Sequence, residues 1–252
     1  MFFYCFCVII KKRISFLFML SEKFWMKYFK TYDLLNSAIP YQELLRDIVD
    51  VTGIKPGQYV FDAGSGTGNL SLAIKKKSAK VVSMDFSSQG IRLHQDKDPD
   101  SNAILGDLTK SLPFKSNCFD CVVSNNVIYT LDKKLRKKVF LEFYRVLKKG
   151  GVIAISNIHK GFKPLAIFKE HIRKSNKQKG GLGTAIDAFK MSISILKMFY
   201  YNFLIKREHK SGGINFMEDG EQRKLLSDSG FHLKGQTKKT YAGQAYLDVG
   251  TK

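Results

Sequence analysis

The chain has 252 residues, with 42 Lys or Arg against 22 Asp or Glu and a formal net charge of +20. That length suits one α/β domain with a full core, the hydrophobic content of 44% is that of a globular protein, and no apolar run reaches the ~18 residues of a membrane span. Four cysteines are too few for a disulfide framework in a chain this long, and Cys5, Cys7 and the Cys118-x-x-Cys121 pair read better as reduced thiols than as a zinc site.

The positive surplus suits nucleic acid, anionic lipid or acidic partners, and equally a solvated lysine-rich surface. In chain order, residues 1–23 form an apolar and basic extension. Lys11, Lys12 and Arg13 follow an apolar stretch instead of preceding it, so the order is wrong for a secretory signal. The extension reads as a start placed upstream of Met19 or Met26, as a membrane-surface tether, or as an extra helix. Residues 24–37, with Trp25, Tyr28, Phe29 and Tyr32, read as an approach helix. Tyr41–Val51 reads as a short amphipathic helix preceded by Pro40 and closed by Gly53.

From Tyr59 onward strands and helices alternate. Strands are expected at Tyr59–Ala63, Lys80–Asp85, Ala103–Leu105, Phe119–Ser124 and Val152–Ser156. Helices are expected at Asn69 to about Lys77, after Ser87 and Ser88, and at Lys133–Leu147. A helix over Glu218–Ser229 and a closing strand pair, Phe231–Lys239 and Gln244–Thr251, end the chain. The pattern predicts one domain over 24–252, with a mostly parallel sheet and helices on both faces. Residues 160–213 break the rhythm. They hold twelve Lys/Arg against Glu170, Asp187 and Glu208, and a helical stretch over about Ala185–Ile205. This insert is expected to cap the active-site face, its alternative being a structural helical layer.

The strongest chemical signal is Val60-Phe61-Asp62-Ala63-Gly64-Ser65-Gly66-Thr67-Gly68. An apolar strand runs into three glycines and then a helix, so the backbone can turn sharply and approach a ligand closely. The spacing is GxGxG, not the GxGxxG of dinucleotide enzymes. Asp62 before the turn would repel a pyrophosphate, which favours a cationic amino-acid ligand.

This segment resembles motif I of class I S-adenosylmethionine (SAM)-dependent methyltransferases. Asp85 and Phe86 after strand two, Asp107-Leu108 after strand three, Ser111–Phe114 with Phe119–Ser124, Glu142–Gly151, and Glu221 to Phe231 resemble later parts of the same family, in the same order. The resemblance implies a Rossmann-like seven-stranded sheet with SAM as cofactor. It assigns Asp62, Ala63, Gly64 and Gly66 to the methionine part, Asp85 to the ribose hydroxyls, Phe86, Asp107 and Leu108 to the adenine, and Asn125 to SAM or substrate. Tyr32-Asp33-Leu34-Leu35-Asn36 resembles the approach helix of the quinone-biosynthesis and related small-molecule methyltransferases.

The implied reaction is in-line transfer of the methyl to a small, apolar or aromatic acceptor, with no metal. His159 and, more weakly, Tyr129 and Tyr32 are the candidates for a base. The loop Asn125-Asn126-Val127-Ile128-Tyr129 lacks the Pro-Pro-aromatic signature of base-amine methylation, so nucleic acid is the less favoured substrate. An RNA or protein methyltransferase using the basic surface, and a SAM-binding protein without catalysis, are the alternatives. The expected location is cytoplasmic with a possible peripheral membrane contact, and the oligomeric state is left open.

Overall fold

The computed structural model describes residues 22–208 and 216–252. The readings made above for residues 1–20 therefore lie outside the described residues. Two helices, α1 (Glu22–Asn36) and α2 (Ile39–Thr52), lead into the alternating part. Pro40 in the first turn of α2 and Gly53 in left-handed conformation after its end (φ 60°) set its limits.

There follow β1 (Tyr59–Ala63), α3 (Asn69–Lys75), β2 (Lys80–Asp85), α4 (Ser88–Lys97), β3 (Asn102–Leu105) and β4 (Phe119–Asn125). Then come α5 (Lys133–Val146), β5 (Leu147–Ile158), α6 (Pro164–Glu208), α7 (Glu221–Asp228), β6 (His232–Thr240) and β7 (Ala245–Thr251). The strands form one sheet in the order β3-β2-β1-β4-β5-β7-β6. Pairing is parallel from β3 to β5, and β7 runs antiparallel to both β5 and β6. The seven-stranded, mostly parallel, Rossmann-like sheet expected from the sequence is present.

Both faces of the sheet are covered, which is why the central strands read as unbroken apolar runs. On one face Phe61 and Val122 pack with Val139, Phe140 and Phe143 of α5. On the other, Val60, Cys121 and Val123 pack with Leu44, Leu45 and Ile48 of α2 and Leu70 and Ile74 of α3. A fully buried Phe or Ile of this kind contributes about 1.5–3 kcal/mol. Strand order reverses between β1 and β4, so a crevice opens at the carboxyl ends of these strands.

Element limits shift by up to three residues in several places, and two boundaries differ by more. Strand β5 begins at Leu147, before the Gly150-Gly151 pair, and Gly150 takes a φ of 72° within it. The insert is helical from Pro164, not only from Ala185, and is broken at Gly180 (φ 72°, ψ −178°). That backbone conformation is essentially open to glycine alone. The part of α6 after the break packs on α1, where Met191 joins Tyr28, Leu35 and Ala38 in a small core of its own. An ion pair from Lys174 to Glu43 ties the part before the break to α2.

Candidate active site

The turn after β1 is held open by three glycines. Gly64, Gly66 and Gly68 have φ values of 81°, 53° and 82°, a region that side chains avoid. Space forbids a side chain as well. A Cβ on Gly64 would lie 2.2 Å from a Val127 methyl, and one on Gly68 would lie 2.1 Å from the His94 ring. The Gly64 and Ser65 amides donate to the Met84 carbonyl at 2.8 and 3.0 Å, which fastens the turn to the end of β2.

Asp85 ends β2 beside this turn. Its carboxylate accepts from the Gly66 amide at 2.8 Å and from the Ser87 amide at 2.9 Å. Burial pushes its acidity down, so its pKa stands above the usual carboxylate value, while the amide donors work the other way. Four lone-pair directions on a carboxylate leave room for further donors such as a diol. Ser87 also caps α4, its hydroxyl accepting from the Gly90 amide at 3.1 Å. Gly90 lets α4 come close: a Cβ there would sit 3.1 Å from the Gly66 carbonyl oxygen.

A cleft of about 620 Å³, counted to its open mouth, lies over this turn. Its floor is Gly64 to Thr67 with Asp85, one side is Asn125 to Val127, and Tyr28, Phe29 and Tyr32 of α1 form an aromatic wall. Two buried polar atoms in this lining have no hydrogen-bond partner, Ser65 Oγ and Asn125 Oδ1. An orphaned hydroxyl, an orphaned carbonyl, a glycine cradle and a buried carboxylate are the polar groups, mostly acceptors, that a cationic amino acid joined to a ribose needs. The residues present fit SAM.

Four of the sequence-predicted binding residues, Gly64, Gly66, Asp85 and Asn125, line this cleft together. Asp62 and Ala63 lie below its floor. Asp62 is 1% exposed, accepts from the Ser71 hydroxyl at 2.5 Å, and has its pKa pushed up by burial to about 7. It therefore braces β1 against α3 beneath the turn. Phe86 is half-buried just after Asp85. The β3 loop is brought alongside by a Gly106 amide donating to the Asp85 carbonyl at 2.8 Å. Asp107 there is exposed and accepts from the Thr109 amide and hydroxyl at 2.8 and 2.7 Å, and Leu108 is buried in the core.

Two of the three base candidates, Tyr129 and His159, are engaged elsewhere. Tyr129 is 1% exposed and stacks on Phe216 in the core, with ring planes 4° apart. His159 lines a second cavity with Glu218, Tyr246 and Asp248, between β5, α7 and the last two strands. Its Nδ1 accepts from the Gly161 amide at 3.1 Å, its Nε2 lies 3.2 Å from the Gly243 carbonyl, and its ring stacks on Tyr246. Both ring nitrogens thus meet backbone groups in this second cavity, away from the cleft. Tyr32 does line the cleft.

Sequence reasoning missed the residues that close the cleft. Asp33 of α1 accepts from the Thr67 hydroxyl at 2.5 Å and the Asn69 amide at 3.0 Å, and pairs with Lys97 of α4 at 2.8 Å. Lys97 also donates to the Thr67 carbonyl and to Asn69, both at 2.9 Å. This clasp fixes α1 over the glycine turn. The available signal was Thr67 and Asn69 flanking Gly68 inside the motif.

The glycine turn, the carboxylate on the next strand and the crevice at the strand reversal have the layout of a Rossmann-like cofactor-binding domain, and residues 61–155 match the family described as "Methyltransferase domain". Among curated relatives, the chain is 32% identical over 149 residues to a demethylmenaquinone methyltransferase of Renibacterium salmoninarum, covering 57% of this chain and 62% of that one. It is 29% identical over 146 residues to the ubiquinone/menaquinone biosynthesis C-methyltransferase UbiE of Hydrogenovibrio crunogenus, covering 53% and 56%. The chain thus spans less than two thirds of the length of these relatives. A SAM-dependent methyltransferase of Aquifex aeolicus shares the fold with a TM-score of 0.59 at 15% identity, over 89% of this chain and 97% of that one. A second structural neighbour, a methyltransferase of Methanococcus maripaludis, has a TM-score of 0.57 at 19% identity, over 92% and 95%.

Proposed function

We propose that the protein transfers the methyl group of SAM to a small, apolar, ring-containing acceptor of the quinol or phenol kind. The observation that carries this reading is the cleft itself. Orphaned Ser65 Oγ and Asn125 Oδ1 and the Asp85 carboxylate face a wall of Tyr28, Phe29 and Tyr32. The polar side suits the cofactor, and the aromatic wall suits a flat apolar partner beside it. Relatives whose names place them in menaquinone and ubiquinone biosynthesis support the same acceptor class.

SAM supplies a methyl already activated on a sulfonium, so the protein's share is binding, orientation and exclusion of water. Asp85 accepts from the ribose hydroxyls, and the orphaned Asn125 carbonyl and Ser65 hydroxyl meet the amino-acid end. Gly64 and Gly66 admit that end close to the backbone. Phe86 and the Asp107–Leu108 turn, at the adjoining strand ends, take the adenine. The Asp33 clasp holds α1 down over the turn and keeps water out. No general base is assigned: His159 and Tyr129 are committed elsewhere, and Tyr32 serves as part of the aromatic wall.

The net charge of +20 favours one second reading, methylation of RNA or protein over the basic surface. Incubation with methyl-labelled SAM and three acceptor pools separates the readings. Label in demethylated quinols or simple hydroquinones is the expected result. Label in RNA or protein alone would sink the proposal, and SAM binding with label in no pool would favour a non-catalytic binding protein.

A further inference from the structure

After the break at Gly180, α6 carries a second apolar face that stays exposed among the described residues. Leu182, Ile186, Phe189, Ile193, Leu196 and Tyr200 are between 39% and 80% exposed. They recur at intervals of four and three residues, so they lie on one side of the helix. At 1.5 Å per residue the stripe is about 27 Å long. The opposite side of the same helix is buried, with Thr184, Met191 and Ser194 each under one tenth exposed. The helix is therefore already anchored through its other face, and a row of six large apolar side chains in water is unusual for a surface with no partner.

The charge around the stripe indicates what covers it. Lys190 and Lys197 directly follow Phe189 and Leu196 in the sequence, and Lys197 is exposed. Asp187, the sole acid in residues 181–201, is taken up by Lys179 at 2.6 Å and Ser175 at 2.9 Å. A second copy docked through the same stripe would add the positive charge of another Lys197 with no free carboxylate among the described residues of the stripe to answer it. A lipid surface with anionic headgroups answers both the apolar row and the positive flank. Among the described residues no helix is long and apolar enough to cross a membrane, so the helix would lie in the plane of the surface.

We propose that this face of α6 is a docking surface for an anionic lipid bilayer. The inference stands on the stripe and its charge, independently of the methyl acceptor. Its functional consequence follows from the packing. Helix α1 lies between α6 and the cleft, and its Tyr28 touches both. Docking would hold the cleft about two helix layers, α6 and α1, roughly 16–20 Å, from the lipid. An apolar acceptor dissolved in the bilayer would then have a short path to it.

The test is co-sedimentation of the full-length protein with vesicles of phosphatidylcholine mixed with phosphatidylglycerol, and with phosphatidylcholine alone, at physiological salt. The triple variant Leu182→Glu, Phe189→Glu, Leu196→Glu is compared with wild type, and a milder Phe189→Ser, Leu196→Ser pair guards against misfolding. Wild type should bind the anionic vesicles. The triple variant should bind them at least about tenfold more weakly while keeping the wild-type thermal midpoint and SAM affinity. Equal binding of variant and wild type, equal binding of wild type to both vesicle types, or no wild-type binding would each overturn the proposal. A wild-type dimer that the triple variant dissolves would overturn it in favour of a second copy. A lowered midpoint without vesicle binding would do so in favour of cover by the chain's own N-terminal segment.

Discussion

Gly64 is the residue on which the cleft depends most directly. Its φ of 81° and the 2.2 Å approach of any Cβ to Val127 act together, so substitution strains the backbone and pushes the β4 loop away. Gly64→Ala should lower stability by about 1–3 kcal/mol, seen as a drop of several degrees in the thermal midpoint, and should weaken SAM binding as well. Asp62 makes a prediction in pH. Its pKa is held near 7 by burial, above the ordinary value of 3.8. Between those values the native state binds more protons than the unfolded state, so stability falls as pH rises. The burial of this acid should cost up to about 4 kcal/mol at neutral pH. Urea unfolding of wild type and Asp62→Asn should therefore show the wild type losing ground from pH 5 to pH 7 and levelling above that. A difference independent of pH would refute a buried, titrating Asp62.

Among the elements, α1 decides whether the cleft is closed. It is tied to the glycine turn by Asp33, Thr67, Asn69 and Lys97, and its outer side is supported by α6. Removing the carboxylate leaves Lys97 partly buried without its partner and frees one end of the clasp. Asp33→Ala should weaken SAM binding about tenfold and speed proteolysis within residues 22–36, while the thermal midpoint of the sheet domain changes little. A SAM affinity equal to wild type would show that α1 does not bear on the site. Much of this scale could be read in the sequence. Strands β1 and β2 begin and end where the apolar runs do, because both their faces are buried and turn residues bound them. The start of β5 could not be read, since pairing with β4 carries the strand back through two glycines that look like a turn. The clasp was hidden because Asp33 and Lys97 are far apart in sequence and look like ordinary helix-surface charges. His159 was placed near the right edge of the sheet, yet its ring orientation depends on Gly161 and Gly243, which no local pattern reveals.

The whole molecule combines a nucleotide-type sheet, an aromatic cleft wall and a strongly basic exterior. The sheet order and the glycine turn were legible because they are dictated by local periodicity and by a motif with its own steric logic. The exposed stripe on α6 was not, because an amphipathic helix reads the same whether its apolar face is buried or in solvent. The break at Gly180 lies between the part of α6 that an ion pair ties to α2 and the part that carries the stripe.

Calorimetric titration of the purified protein with SAM and its demethylated product measures whether the cleft over Gly64–Thr67 and Asp85 holds the cofactor. Wild type should bind in the micromolar range, and Asp85→Ala, which removes the carboxylate proposed to face the ribose, should bind at least about a hundredfold more weakly. Absence of binding by well-folded wild-type protein, or binding that Asp85→Ala leaves intact, would contradict the assignment of this cleft to SAM.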